Sequence, residues 1–187
     1  MVHDPNQKPS SGQQSDEELS STEKDVSIVR GLAFWFCLLA VLLGLDLVEY
    51  IALGVRSSFE LVIVMAAICS VWGILGYLCL AWASRKGAML APLFGCVLSL
   101  LFGLGYLGDW LAGETGGRNL RLAIYRGITL LFFIGGYKAL RRLREDGQLL
   151  RSFPDSEGFQ LVAILGFVGV IGGWVIHIFV QILWVTS

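Results

Sequence analysis

Five apolar blocks, each close to the ~20 residues an α-helix needs to cross the hydrocarbon core of a bilayer, leave this chain few ways to fold. They cover about residues 31–55, 59–83, 89–112, 121–140 and 159–185 of 187. In lipid, backbone N–H and C=O groups must be paired within the structure, which selects helices for blocks of this length. The expected fold is an all-α integral membrane protein, a bundle of about five transmembrane helices with a disordered polar N-terminal tail. Composition agrees, with 55% of residues hydrophobic and 16% charged, against about 25% charged in an average soluble domain. A net charge of −1 gives no basic surface for nucleic acid. The expected partners are the lipid bilayer and, through small-residue helix faces, another protein or a second copy of this chain.

Residues 1–25 are rich in Ser, Gln, Asp and Glu and poor in large apolar side chains. They read as the disordered tail, and residues 26–187 as the polytopic membrane domain. The tail also lacks the short apolar core of a cleavable signal peptide. Ser20 with Glu23, and Ser57 with Glu60, match capping boxes that would open the first two helices. Pro92 falls in the first turn of the third span, where proline is tolerated. Arg126 and Lys138 interrupt the fourth block, yet the distribution of basic residues supports keeping it as a span. With the N-terminus inside, the inner segments carry Lys24, Arg30, Arg85, Lys86, Lys138, Arg141, Arg142, Arg144 and Arg151. The outer ones carry Arg56, Arg118 and Arg121. By the positive-inside rule the N-terminus is expected in the cytoplasm and the C-terminus on the opposite side. The membrane would be the plasma membrane or, in a bacterium, the inner membrane.

Self-similarity suggests a tandem repeat of spans one and two as spans three and four. An offset of 59 pairs CLLAVLLGLDLVEYIALG from Cys37 with CVLSLLFGLGYLGDWLAG from Cys96. An offset of 60 pairs GYLCLAWASRKG from Gly76 with GYKALRRLREDG from Gly136. Parallel repeats of this kind occur in transporters, while two hairpins of similar composition would look much the same.

Polar groups inside the spans are the candidate site. Asp46 and Glu49 are three residues apart in span one, hence neighbours on one helix face. At about 1.5 Å per residue, they lie roughly 15 and 10 Å below the outer boundary. On the same scale Arg126 lies about 7 Å deep, His177 about 13 Å and Asp109 about 6 Å. All five fall in the outer half, at heights that let them meet. A buried guanidinium seeks a carboxylate fork, so Arg126 is expected beside Asp46 or Glu49. The second carboxylate would be protonated, hydrated, paired with a charged His177, or bound to a cation. Gly169 and Gly173 share the stripe of His177, and Gly95, Ser99 and Gly103 form a second small-residue ridge, both of which suit close helix packing.

Other features carry less. GLGYLG at 103–108 matches a dinucleotide-binding pattern, but it lies inside an apolar span with no βαβ unit around it. Asp46, Glu49 and His177 supply no two-histidine motif for a metal, and no cofactor is implied. Cys37, Cys69, Cys79 and Cys96 all sit in apolar spans and read as packing residues. Trp35, Trp82, Trp110 and Trp184 lie near span ends, as interfacial anchors do, and Trp72 and Trp174 are expected to pack inside. The run Lys138, Arg141, Arg142, Arg144 serves topology or anionic headgroups. No nucleophile–base pair supports an enzyme. Two functions remain: a non-enzymatic structural or accessory membrane protein whose polar cluster fixes helix packing, or a small transporter or channel-like protein moving protons, ions or a small solute through it.

Overall fold

The computed structural model describes the backbone of residues 11–56, 61–113 and 116–186; side chains are described from residue 20 onward, except 46, 49, 50, 53–63, 114–116, 118, 177 and 180–187. Within this range every regular element is a helix, with α1 Ser11–Arg56, α2 Leu61–Arg85, α3 Leu90–Leu111, α4 Gly116–Glu145, α5 Leu149–Ser152 and α6 Phe159–Thr186. Five of the helices, all but the four-residue α5, are long and apolar enough to cross a membrane.

The helices form a ring in the order α1, α2, α6, α3, α4. Antiparallel pairing of α1 with α2 places Leu43 over Gly73, where a Cβ would come within 2.5 Å of the leucine. On the other side of α1, Leu32 fills the space above Gly136. Phe36 lies against Phe133 at a centroid distance of 4.5 Å, and Trp35 stacks on Phe132 at 4.2 Å. Parallel α3 and α6 meet through Phe94–Phe167 at 4.4 Å and Phe102–Trp174 at 5.5 Å. The main core therefore draws on every long helix, with Phe36, Leu39, Tyr77, Leu80, Leu98, Phe133 and Val170 all at 3% exposure or less. A second cluster gathers Val29, Leu140, Leu143, Leu149 and Phe153 at the end where the Lys and Arg residues concentrate.

The N-terminal helix departs from expectation. Residues 11–25, expected within the disordered tail, belong to α1, which spans 46 residues or about 69 Å. Ser20 is accordingly inside the helix rather than a cap; the proposed Ser57–Glu60 cap and residues 1–10 lie outside the described residues. The apolar positions explain the docking of its last part. Val26 and Val29, three apart and so on one face, pack on the second cluster, and the nearly buried Asp25 lies 3.5 Å from Nη1 of Arg142.

Three helix ends use glycine at positive φ: Gly87 (76°), Gly113 (76°) and Gly147 (67°). At Gly87 the glycine N–H donates to the carbonyl of Ser84 at 2.9 Å and that of Ala88 to Ala83 at 3.0 Å. At Gly147 the same two bonds run to Arg144 at 3.1 Å and from Gln148 to Leu143 at 2.8 Å. Both are Schellman closures, which satisfy carbonyls a helix end would otherwise leave open. These two glycines are equivalent under the 60-residue offset. The hairpin registers are not equivalent. The Leu43–Gly73 contact would map onto Phe102 and Phe133, whereas Phe133 faces Gly95.

Among the described residues, the outer surface of α2 and α3 is largely apolar. On α2 it carries Ile68, Val71, Trp72, Leu75, Leu78 and Trp82, and on α3 Leu93, Val97, Leu100, Leu104 and Leu111. Trp72, expected inside the bundle, is 59% exposed. It belongs to this outward stripe, while the neighbouring Cys69, Gly73 and Gly76 face inward. Cys37 is exposed as well, whereas Cys69 is buried and Cys79 and Cys96 are partly so.

Candidate functional site at Arg126

α3 and α4 run antiparallel, and their shared seam is where polar groups enter the bundle. Moving along it, Gly95 receives the ring of Phe133, Ser99 meets Thr129, and Gly103 meets Arg126. Each step is one helical turn on both partners, so residues three or four apart stay on the contacting face. At Gly103 a Cβ would sit 3.3 Å from the Cβ of Arg126; the missing side chain lets the α4 backbone come close while the guanidinium reaches past.

That guanidinium is partly buried and joins three helices. Its Nη1 donates to the hydroxyl of Tyr77 on α2 at 3.2 Å. Its carbon lies 5.0 Å from the ring centroid of Phe102 on α3 and 5.9 Å from that of Tyr77. Tyr106, one turn beyond Phe102, interacts with the same group. Cation–π contacts of this type are worth roughly 0.5–2 kcal/mol, more when water is excluded. Arginine stays protonated in proteins and carries no acceptor, so the node is a fixed cation. It cannot serve as a general base.

Beside it, Thr129 donates to the carbonyl of Arg126 at 2.9 Å, and its oxygen lies 3.2 Å from Ser99 Oγ. A hydroxyl has one proton, so with Thr129 committed to its own helix, Ser99 donates across the seam. Both side chains are buried. The hydroxyl of Tyr125 is buried without a hydrogen-bond partner among the described residues, although its ring lies 6.3 Å from that of Trp35.

Asp109 is drawn elsewhere. It accepts from Asn119 Nδ2 at 3.3 Å, seven residues beyond Phe102 and hence about 10 Å along the hairpin from Arg126. The side chains of Asp46, Glu49 and His177 lie outside the described residues. Among the described residues, the partners of Arg126 are hydroxyl and aromatic groups. On α6, Gly169 and Gly173 face α2: a Cβ on Gly169 would lie 3.5 Å from Cα of Gly76, and one on Gly173 would lie 2.8 Å from the carbonyl oxygen of Cys69. The residues the sequence did not single out are Tyr77, Phe102, Tyr106 and Thr129. Tyr77 had one signal to offer. It follows Gly76, a seam glycine, within an apolar block, where a phenol needs a polar partner.

Compared with family models, with curated proteins and with solved structures, the chain matches none of them.

Proposed function

We propose that this chain is a multi-pass integral membrane protein of five spans, N-terminus cytoplasmic and C-terminus opposite, whose Arg126 node clasps the bundle rather than performing chemistry. The observation that carries the clasp is the reach of one guanidinium from α4 to Tyr77 on α2 and Phe102 on α3. A charge held in an apolar bundle has few alternative positions, so it fixes which helix faces meet. The membrane assignment draws on the apolar exterior of α2 and α3 and on the basic residues gathered at one end.

Removing one member of a buried polar set costs more than removing the set, because the leftover group stays desolvated. Arg126→Ala is expected to destabilise the protein in detergent, and adding Asp46→Asn and Glu49→Gln to restore part of the loss if those carboxylates share the node. Purely additive losses would remove the two carboxylates from it. A cysteine placed at the C-terminus and labelled from either side tests the topology, and labelling from the cytoplasmic side would overturn it.

Transport of protons, ions or a small solute is the second reading, favoured by the hydroxyl of Tyr125, buried with no partner among the described residues. It requires a pH- or ion-dependent flux in proteoliposomes that Asp46→Asn abolishes without unfolding the protein. Absence of any such flux leaves the clasp.

A further inference from the structure

Away from Arg126, a cavity opens at the basic end, where the chain turns from α2 into α3 and from α4 through α5 into α6. It holds about 440 Å³, within the ~300–1,000 Å³ range of small-molecule pockets. Leu90, Leu149 and Leu150 give it apolar walls, and Arg144, Ser156 and Glu157 bring polar atoms to it.

Those polar atoms are poised rather than spent on one another. The Arg144 guanidinium points Nη1 at the thioether of Met89, at 3.5 Å, and a thioether is only a weak acceptor. Ser156 is 1% exposed, and its Oγ has no hydrogen-bond partner among the described residues. A buried hydroxyl left without a partner calls for an explanation, and a bound polar group supplies one. Two long helices also begin here, α3 at Leu90 and α6 at Phe159. Their N-terminal ends favour negative charge through the helix dipole, while the N–H groups of Phe159, Gln160 and Ala91 already donate to the carbonyls of Asp155, Glu157 and Ala88. Gln160 occupies one α3 donor, with its Oε1 accepting from the Leu90 N–H at 3.0 Å. Glu157 is exposed and adds a single negative charge to the same rim.

A ligand suited to this cavity carries a phosphate for Arg144, the Ser156 hydroxyl and the helix N-termini. It also carries a cation with N–H donors for Glu157 and an apolar portion for the leucines. We propose that the cavity binds the headgroup of an aminophospholipid of the phosphatidylethanolamine type, Arg144 taking the phosphate and Glu157 the primary ammonium. The proposal rests on the membrane assignment above, which places the basic end at the cytoplasmic headgroup layer. It commits to an amine-bearing lipid for a chemical reason. A primary ammonium has three donors and a positive charge for a carboxylate, a trimethylammonium has no donor, and a phosphatidylglycerol headgroup offers only neutral hydroxyls, with no cation to offset the charge of Glu157.

The test is lipid retention. Full-length protein is reconstituted in phosphatidylcholine nanodiscs doped equally with phosphatidylethanolamine and phosphatidylglycerol, and lipids still bound after ejection are read by native mass spectrometry. Wild type is expected to retain phosphatidylethanolamine in preference to both others. A hydrogen bond to a charged group contributes about 1.5–3 kcal/mol, so Arg144→Ala should lower retention about tenfold or more. Glu157→Gln should leave phosphate binding in place and turn the preference toward phosphatidylglycerol. Arg141→Ala, at an exposed residue paired with Glu145, is the control and should change nothing. Equal retention of phosphatidylglycerol by wild type, or retention indifferent to Arg144→Ala and Glu157→Gln, overturns the proposal. Displacement by soluble glycerophosphoethanolamine as effectively as by the lipid would overturn the lipid as occupant. Failure of the chain to enter nanodiscs would instead overturn the membrane assignment, a distinguishable result.

Discussion

The α2–α6 and α3–α4 seams both rely on glycine, and they use it in opposite ways. Between α2 and α6 small residues face small residues. A Cβ on Gly76 would lie 2.6 Å from the carbonyl oxygen of Gly166, and one on Gly166 would lie 2.7 Å from that of Gly76. Between α3 and α4 a small residue faces a large one, with Gly95 receiving Phe133 and Gly103 receiving the stem of Arg126. In the first seam backbone meets backbone and nothing can turn aside. In the second, glycine is a socket for a side chain, and the side chain can shift. The first suits rigid docking; the second lets hydroxyls and a cation into the interior.

The largest expected effect follows from that contrast. Gly76→Val should cost about 3 kcal/mol, the upper part of the range for overpacking, because its new atoms would meet Gly166 and the backbone N of Val170 at 2.9 Å. Gly103→Ala meets only the Arg126 Cβ at 3.3 Å and should cost about 1 kcal/mol or less, at the mild end of overpacking. Reversible unfolding in mixed micelles measures both. Equal losses would abolish the distinction between the seams.

Within the polar seam, the cation should matter most. Arg126→Met keeps much of the stem but removes the donor to Tyr77, and should cost about 2 kcal/mol, as charged hydrogen bonds do. In the Tyr77→Phe background the same substitution should cost clearly less, because the acceptor is already gone. Independent losses would mean that the 3.2 Å contact contributes nothing.

The two Schellman ends, at Gly87 and Gly147, allow a finer comparison. A side chain at left-handed φ costs about 1–2 kcal/mol, and Gly147 has open space around the position of a Cβ. Gly147→Ala should therefore cost about 1 kcal/mol by thermal unfolding. Gly87→Ala should cost more, since its Cβ would lie 2.5 Å from the ring of Phe153. A reversed order would remove Phe153 as the cause.

Much of the fold was legible because hydropathy needs only counting. The block at 159–185 became α6 Phe159–Thr186, and that at 89–112 became α3 Leu90–Leu111. The length of α1 was legible only in part: Ser20 with Glu23 signalled helix ahead of the span, but the polar residues before Ser20 read as tail, and α1 begins at Ser11. Charge pointed to Arg126, but depth along a helix does not say which face a neighbour presents. Asp109 looked close to Arg126 by height, and its partner is Asn119 on the adjoining helix. Tyr77 stayed hidden for the same reason: its role depends on α2 coming within reach of Arg126 on α4, a tertiary fact with no periodic signature. Glycine spacing marked both seams and could not tell which of them faced backbone.

The smallest expected effect tests whether the polar seam is held by its hydroxyls or only by shape. Ser99 donates to Thr129 across the interface at 3.2 Å, and interhelical bonds of this kind average about 0.6 kcal/mol in membrane bundles. Ser99→Ala should cost about that much, since the serine is buried and its oxygen leaves only a small void. Thr129→Val keeps the shape of the side chain and deletes both its bond to Ser99 and its bond to the Arg126 carbonyl, so it should cost more. In a double-mutant cycle the pair should couple by about 0.6 kcal/mol. With no coupling, the socket packing of Phe133 and Arg126 would hold α3 to α4 unaided. The hydroxyls would then be passengers in an interface set by glycine, and the two seams would differ in what fills the socket rather than in how they are held.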